Sequence, residues 1–316
     1  MSNKNTNIYL DAKTSFLEPT VNQYGGHMVM SNVKKASRVK YVNIDTRFTD
    51  DYGYSKQGCN QPDYFTISFP EKLRDVKSIR VISTEIPNTF YNFSSAMGNN
   101  CFKLSSDSTS TTIIINDGYY NNTAVTLIEE LNRYSTNDLS YNFSYDTNHN
   151  IINFTPFTQN LTIEFDTDAL GNFDKNNFRS KLGWALGFRK QTYTPSSLIT
   201  AESQLNLNTT RYIYLVVDEF SSGFTNSFVC PLNNYLLNKK ILARISIDNN
   251  LVAYGIDYIG AVQISNTYNG LLSSDIRYYN GNVDIQKMNI NLVNEYGQPI
   301  YLNGLDFSFL LEVTYE

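Results

Sequence analysis

The stretch from residue 62 to residue 92 constrains the fold more than any other part of the chain. It contains two patterns typical of β-strands, joined by a short charged segment and closed by a proline. In the first, Phe65, Ile67 and Phe69 alternate with polar residues; in the second, Ile79–Ile86 is apolar and largely β-branched. Alternation with a period of two places the apolar side chains on one face of a strand. The stretch therefore predicts two strands joined by a charged turn, and it contains no pattern typical of a catalytic site.

Similar patterns recur along the chain and predict strands throughout. The alternation of Leu139–Tyr145 is the most regular, and Phe307, Phe309, Leu311 and Val313 share a face near the end of the chain. The further predicted strands are Val39–Ile44, Asn99–Leu104, Thr112–Ile115, Ile151–Phe154, Leu161–Phe165, Tyr212–Val217, Ile241–Ile247, Val262–Ile264, Asp275–Tyr279 and Met288–Val293.

Helices are predicted at two places only. Asn122 or Thr123 is expected to cap a helix that runs to Asn132, with its apolar residues three and four positions apart on one face. A second short helix is predicted around Asn177–Leu182, and Asn280–Gly281 is typical of a hairpin turn.

Together these patterns predict a mostly β fold with two β-sandwich, jelly-roll-like domains, one or two short helices and an extended N-terminal arm. The predicted arm spans residues 1–38, and the first sandwich spans residues 39–194. Residues 195–210 are interpreted as a crossover segment that runs along the first domain, because they are not rich in glycine. The second sandwich is expected at residues 211–316.

Composition excludes several classes of protein. Hydrophobic residues make up 41% of the chain and charged residues 17%, which favours a packed core over disorder. The N-terminus lacks the apolar segment of a secretion signal, and no run is long enough to predict a membrane span. Three cysteines without metal-ligand spacing (Cys59, Cys101 and Cys230) are interpreted as free thiols in a reducing compartment.

The charge is unevenly distributed along the chain. The net charge is −5, but residues 1–40 carry six basic and two acidic side chains and are therefore positively charged. A basic cluster at Lys34, Lys35, Arg38 and Lys40 is the candidate interaction site. Its partner is expected to be an acidic protein subunit, phospholipid headgroups or packaged DNA; the alternative is a solvated segment that leads into the first strand. Sequence-specific binding to nucleic acid is not expected from an acidic chain.

No pattern of residues predicts catalysis or a cofactor. The two histidines, His27 and His149, fall in the predicted arm and in a predicted turn, which disfavours a nucleophile–histidine pair. The acidic pairs Asp50–Asp51 and Asp218–Glu219 are adjacent in sequence, so that on a strand their side chains point to opposite faces. We interpret them as loop residues, and we expect neither an enzyme nor a cofactor.

Two further features are weighed in the same way. The segment Asp166–Asp174 has some acidic spacing of a calcium loop, but Leu170 and Asn177 occupy two of the ligand positions, so a solvated loop is favoured. Trp184 is interpreted as a core residue or as part of a seam between domains.

Four segments in this order resemble a known family. They are DYFTISFPEKLRDVKSIRVISTEIPNTFYNFS (63–94), NDGYYNNTAVTLIEELN (116–132), LGWALGF (182–188) and VDIQKMNINLVNEYGQPIYLNGLDFSFLLEV (283–313). The pattern, which covers roughly residues 40–316, resembles the minor capsid proteins of nucleocytoplasmic large DNA viruses, the giant viruses.

This resemblance implies a structural cement protein that links major-capsid capsomers on the inner side of an icosahedral shell. The implied partners are the major capsid protein and other minor capsid proteins, with contact between the basic arm and an internal viral membrane. The implied location is the virion capsid, assembled in the host cytoplasm, and the family brings no catalytic residues. The alternatives are a glycan-binding or host-attachment β-sandwich module, or a penton component at a capsid vertex.

Overall fold

The computed structural model describes most of the chain and leaves out several segments. The described residues are 36–48, 64–107, 109–120, 124–174, 178–221, 223–224, 228–232, 236–237, 240–247 and 262–316. Most of the predicted arm lies outside them, as do Lys34, Lys35, His27 and Cys59.

The described chain is mostly β, which confirms the predicted fold class. Its two α-helices are α1 (Val125–Asn132) and α2 (Leu182–Leu186), and 3₁₀ turns lie at Thr46–Phe48 and Phe178–Ser180. The strands are β1 (Arg38–Asp45), β2 (Tyr64–Pro87), β3 (Cys101–Ser105), β4 (Ser110–Ile114), β5 (Tyr141–Asp146), β6 (Ile151–Pro156), β7 (Thr162–Glu164), β8 (Thr192–Tyr193), β9 (Ile199–Thr200), β10 (Tyr212–Asp218), β11 (Ile241–Ser246), β12 (Val262–Asn266), β13 (Leu272–Ser274), β14 (Arg277–Asn294) and β15 (Ser308–Tyr315).

An eight-stranded antiparallel sheet joins the two ends of the described chain. Its order is β1-β15-β2-β14-β10-β11-β13, and β12 pairs with the end of β2. Strand β1 therefore pairs with β15, and β2 lies between β15 and β14. These partners are more than 180 positions away in sequence. We call the part of the protein built on this sheet, which comprises the described residues within 36–90 and 211–316, the sheet body.

The two longest strands, β2 and β14, differ most from the prediction, because each contains a segment predicted to be a turn. The charged segment after Phe69 is not a turn, because β2 continues through it and bends at Asp75, where φ is 52°. Likewise Asn280–Gly281 makes no hairpin but lies within β14, with Gly281 at φ 102°. The two positions lie in successive shifts of the β2–β14 register, on either side of the Val76–Val283 pair, so that each strand contains a bulge.

Residues 93–207 form a second unit, which we call the inserted module. It contains a four-stranded sheet, β4-β3-β7-β8, and a three-stranded sheet, β5-β6-β9, with both helices. Helix α1 buries Leu127 and Leu131, as its apolar spacing predicts, although Ala124 rather than Asn122 or Thr123 stands at its N-terminal boundary. The predicted hairpin-like pair corresponds to β3 and β4, and the alternating segment corresponds to β5.

Three hydrophobic clusters correspond to this division. The first lies on the inner face of the eight-stranded sheet and takes its buried residues from 44–90 and 213–313. The second fills the inserted module with buried residues from 93–207, including Ala201, Leu205 and Leu207 of the predicted crossover segment. The third covers part of the outer face of the sheet, around Tyr214 and Val293.

These clusters differ from the predicted limits of the two sandwiches, 39–194 and 211–316. Strands β1 and β2, predicted in the first sandwich, share a sheet and a core with strands of the second. The physical reason is that alternation sets which face of a strand is apolar but does not determine its partner. The division of the chain into domains as such stays a prediction.

Candidate interaction surfaces

The predicted basic cluster is described only in part, at the edge of the eight-stranded sheet. Arg38 and Lys40 lie on β1, opposite Tyr315 and Val313 of β15, and both are exposed. Among the described strands none pairs with the other edge of β1. Since Arg38 and Lys40 are two positions apart, their side chains leave the same face of the strand.

Nearby basic side chains already have acidic partners. The ammonium group of Lys72 lies 3.0 Å from Asp284 Oδ2, and that of Lys77 lies 2.6 Å from Glu316 Oε1. A shallow pocket of about 200 Å³ beside Lys40 has both acidic and basic walls. The edge is therefore a surface of mixed charge, with Arg38 and Lys40 at its rim.

One half of the outer face of the sheet is covered. Here the apolar side chains of β10 and β11 pack under Cys230 and Leu237, which belong to the loop between these strands. Both faces of β10 are consequently buried, and its sequence shows the continuous apolar run typical of such a strand.

The other half of the outer face, on β1, β15, β2, β12 and the start of β14, is not covered by any of the described segments. Strand register places Val39, Tyr41, Ile264 and Tyr278 on this side of the sheet, and each is more than half exposed. Between them lies a polar row in which Glu312 accepts a hydrogen bond from Tyr41 Oη at 3.4 Å and pairs with Arg80 Nε at 2.9 Å. We call this surface the open face.

The acidic pair Asp218–Glu219, interpreted from sequence as loop residues, stands where β10 ends, and Asp218 is the last residue of that strand. Glu219 pairs with Arg277 at 2.8 Å, and both side chains are almost completely buried. Asp218 pairs separately with Lys240 at 2.5 Å. Because each carboxylate has its own cation, the two do not form an acid–base couple.

The acidic loop Asp166–Asp174 is ordered by hydrogen bonds. Asp168 Oδ1 accepts from the backbone amides of Leu170 and Asn172 at 2.9 Å, and these contacts, the one from Asn172 first, lower the pKa of Asp168. Asp174 pairs with the buried ammonium group of Lys181. Within the described ranges, no group of three or more metal-ligating side chains is found.

His149 and the two described cysteines occupy unremarkable positions. His149 Nδ1 lies 2.7 Å from Asp146 Oδ2 in the exposed turn after β5, and this contact lowers the pKa of Asp146. Cys101 and Cys230 are free and buried: Cys101 is the first residue of β3, and Cys230 belongs to the third hydrophobic cluster. In the part of the chain that the structure describes, no helix is long and apolar enough to cross a membrane.

A groove of about 590 Å³ lies where the inserted module meets the sheet body. Most of its lining residues come from three segments, 179–185, 206–212 and 294–298, and the others are Met97, Asn99, Pro231 and Leu232. Two hydrogen bonds cross between the units beside it, from Gln298 Nε2 to the carbonyl of Met97 and from Tyr296 Oη to that of Arg179. Trp184 lies here, half-buried, which corresponds to the predicted seam rather than to the core.

Asn92 connects the two chain crossings between the units. Its side-chain amide donates to the carbonyls of Tyr120 and Leu207, at 2.8 and 3.1 Å, and its side-chain oxygen accepts from the Tyr120 amide at 2.9 Å. Thr209 Oγ1 adds a bond to the Asn92 carbonyl at 3.0 Å. The outgoing and returning segments are thereby held side by side.

Comparison with known proteins yields structures but no sequence family. No family model matches the chain, and no curated protein matches it. The mavirus penton protein is similar with a TM-score of 0.39 and 10% identity, over 87% of this chain and 99% of that chain. A chain of the Sputnik virophage structure gives a TM-score of 0.38 and 14% identity, over 88% of this chain and 98% of that chain. Likeness at this level establishes neither a shared fold nor a shared function.

Sequence reasoning missed both the open face and the groove. Val39 and Tyr41 belong to a predicted strand, but nothing local indicates which face of that strand has a cover. The groove combines three segments that are distant in sequence, and the single signal pointing to it was Trp184 in the segment Gly183–Gly187.

Proposed function

We propose that this protein is a structural subunit of a viral capsid that works through contacts with neighbouring subunits. The open face carries the proposal. Exposed aliphatic and aromatic side chains surround the polar row of Tyr41, Glu312 and Arg80 on a rigid sheet. An exposed apolar patch with polar groups is typical of a protein–protein contact surface, and this role requires no catalytic group.

The finer proposal is a cement protein that links major-capsid capsomers on the inner side of an icosahedral shell. It is supported by the four sequence segments that resemble minor capsid proteins of giant viruses. In this arrangement the open face binds a capsomer, and the basic cluster at Lys34, Lys35, Arg38 and Lys40 contacts a second acidic subunit or the internal membrane. Several weak contacts on one molecule raise the overall avidity without a single tight interface.

Purified, gently disrupted particles test this proposal. We expect mass spectrometry to find the protein at a fixed ratio to the major capsid protein, and cross-links to join Lys40 to neighbouring subunits.

A virus carrying Tyr41→Ser together with Tyr278→Ser is expected to incorporate less of the protein. The matched control is Tyr268→Ser, a fully exposed turn residue outside the open face. Absence of the protein from the particles would refute the capsid role.

A penton position at a capsid vertex is the second candidate, and one observation favours it. The inserted module joins the sheet body through two adjacent crossings held by Asn92. A module attached at one place leaves the open face and the β1 edge available for lateral contacts. A density map of the particle distinguishes the candidates, because a penton component lies on fivefold axes whereas a cement protein lies between capsomers.

A further inference from the structure

The groove between the inserted module and the sheet body has the size of a ligand site. Its volume of about 590 Å³ falls within the roughly 300–1,000 Å³ typical of small-molecule pockets. Clefts between structural units are also common positions for such sites.

The lining of the groove requires a polar ligand. It is rich in amide and hydroxyl side chains, among them Ser180, Asn206, Asn208, Thr210 and Gln298. Few aliphatic side chains reach it, so the lining lacks the apolar surface that binds a flat hydrophobic cofactor.

Guanidinium groups stack on two aromatic rings that line the groove, those of Trp184 and Tyr212. Arg189 lies 4.1 Å and Arg179 5.4 Å from the centre of the Trp184 ring. On the sheet body, Arg244 lies 4.1 Å from the centre of the Tyr212 ring. Of these three arginines, Arg179 lines the groove, and stacking limits the entropy lost when its N–H groups bind a ligand.

A buried acceptor without a partner lies under the groove. The Glu295 side chain is 7% exposed, and none of the described residues donates to its Oε2 atom. Its other oxygen, Oε1, lies 3.7 Å from Nε of Arg211, whose side chain is 69% exposed. A buried acceptor left unpaired costs free energy, and a ligand hydroxyl group is a donor that would remove the cost.

We propose that this groove is a saccharide-binding site. The groove offers donors at Arg211 and the amide side chains, and an acceptor at Glu295, beside the ring of Trp184. Each sugar hydroxyl both donates and accepts, so a saccharide can use these donors and the acceptor at the same time. The proposal rests on the groove alone and not on the capsid role.

Binding of the full-length protein to a printed array of neutral and acidic oligosaccharides tests the proposal. We expect selective binding to a small group of structures, followed by titration calorimetry with the best of them. Glu295→Gln and Arg211→Ala are expected to weaken that binding roughly ten- to hundredfold, because each removes a charged hydrogen-bonding group.

Arg133→Ala is the matched control, since Arg133 is 63% exposed at the end of α1 and does not line the groove. It is expected to bind as the unmodified protein does, and thermal unfolding verifies that all three variants fold. Binding to no saccharide, or equal binding by the groove variants and the control, would overturn the proposal. Neither result bears on the presence of the protein in the particle, which is measured separately.

Discussion

The sheet body and the inserted module bury similar apolar cores but assemble them in different ways. The module takes its core from one continuous segment, 93–207, whereas the sheet body combines residues from both sides of that segment. In the sheet body, β1 pairs with β15 across more than 260 positions, while β5 and β6 are joined by a four-residue turn. Long-range pairing has a larger entropic cost of loop closure and forms slowly. We infer that the module folds first and brings the strands of the sheet body together.

The largest expected effect comes from removing one buried aromatic ring from the core of each unit in turn. Phe309→Ala and Phe154→Ala each remove a fully buried ring, and each is expected to lower the free energy of unfolding by about 3–5 kcal/mol. The two should differ in where protection from hydrogen exchange is lost. For Phe154→Ala we expect loss confined to the inserted module, because its core does not include strands of the sheet body. For Phe309→Ala we expect loss in β1, β2, β14 and β15 together.

Urea unfolding followed by hydrogen-exchange mass spectrometry measures both quantities. The two variants serve as controls for each other, since they delete the same side chain from cores of similar burial. If both lost protection over the whole chain, the two units would unfold as one, and the comparison between them would fail.

The difference between local strand pairing in the inserted module and long-range pairing in the sheet body also explains which elements could be predicted from sequence. In the module, Tyr141 and Phe143 are buried and alternate with Asn142 and Ser144, and the short turn after Tyr145 leads directly to the partner strand. Local pattern and local pairing agree there, so the strands and helix α1 could be predicted. In the sheet body, the charged segment after Phe69 has the composition of a turn, but tertiary pairing with β14 keeps it in a strand.

The candidate surfaces were less predictable than the strands. Alternation places Val39 and Tyr41 on one face of β1, but the cover over a face is decided by a distant loop such as that of Cys230 and Leu237. Glu295 is a comparable case. It is buried beside a groove whose lining residues come from distant parts of the chain, and the sequence around it does not indicate that burial.

Asn92→Ala tests the junction between the two units, where the outgoing and returning segments of the chain lie side by side. The substitution removes three side-chain hydrogen bonds in a buried position, and we expect a loss of about 2–3 kcal/mol. Asn148→Ala, in an exposed turn of the module, is the control and is expected to change stability by less than about 0.5 kcal/mol. Chemical unfolding compares the variants. An equally small effect for Asn92→Ala would show that the crossings are held by other contacts.

Gly281→Ala tests the bulge that allows β14 to bend within the sheet body. A Cβ atom at this position meets nothing within 4 Å, so the cost comes only from the backbone, whose φ of 102° suits glycine. We expect a loss of about 1–2 kcal/mol in thermal or urea unfolding. Gly223→Ala has equal space and no positive φ, and it should be neutral or slightly stabilising. Equal behaviour of the two variants would contradict a strained bulge.

The smallest expected effect concerns pH at the contact between the two units. Burial raises the pKa of the Glu295 carboxyl above its ordinary value of 4.5, so between 4.5 and the folded-state pKa the folded protein holds more protons than the unfolded chain. Stability therefore falls as pH rises through this window, and the loss persists at higher pH.

The Glu295→Gln variant has no such proton to lose. We expect its melting temperature to exceed that of the unmodified protein near neutral pH and the difference to shrink on acidification to about pH 4. Melting curves recorded over this range would contradict the argument if the difference stayed constant. They would then place the Glu295 carboxylate in contact with a compensating donor and weaken its role as an unpaired acceptor in the groove.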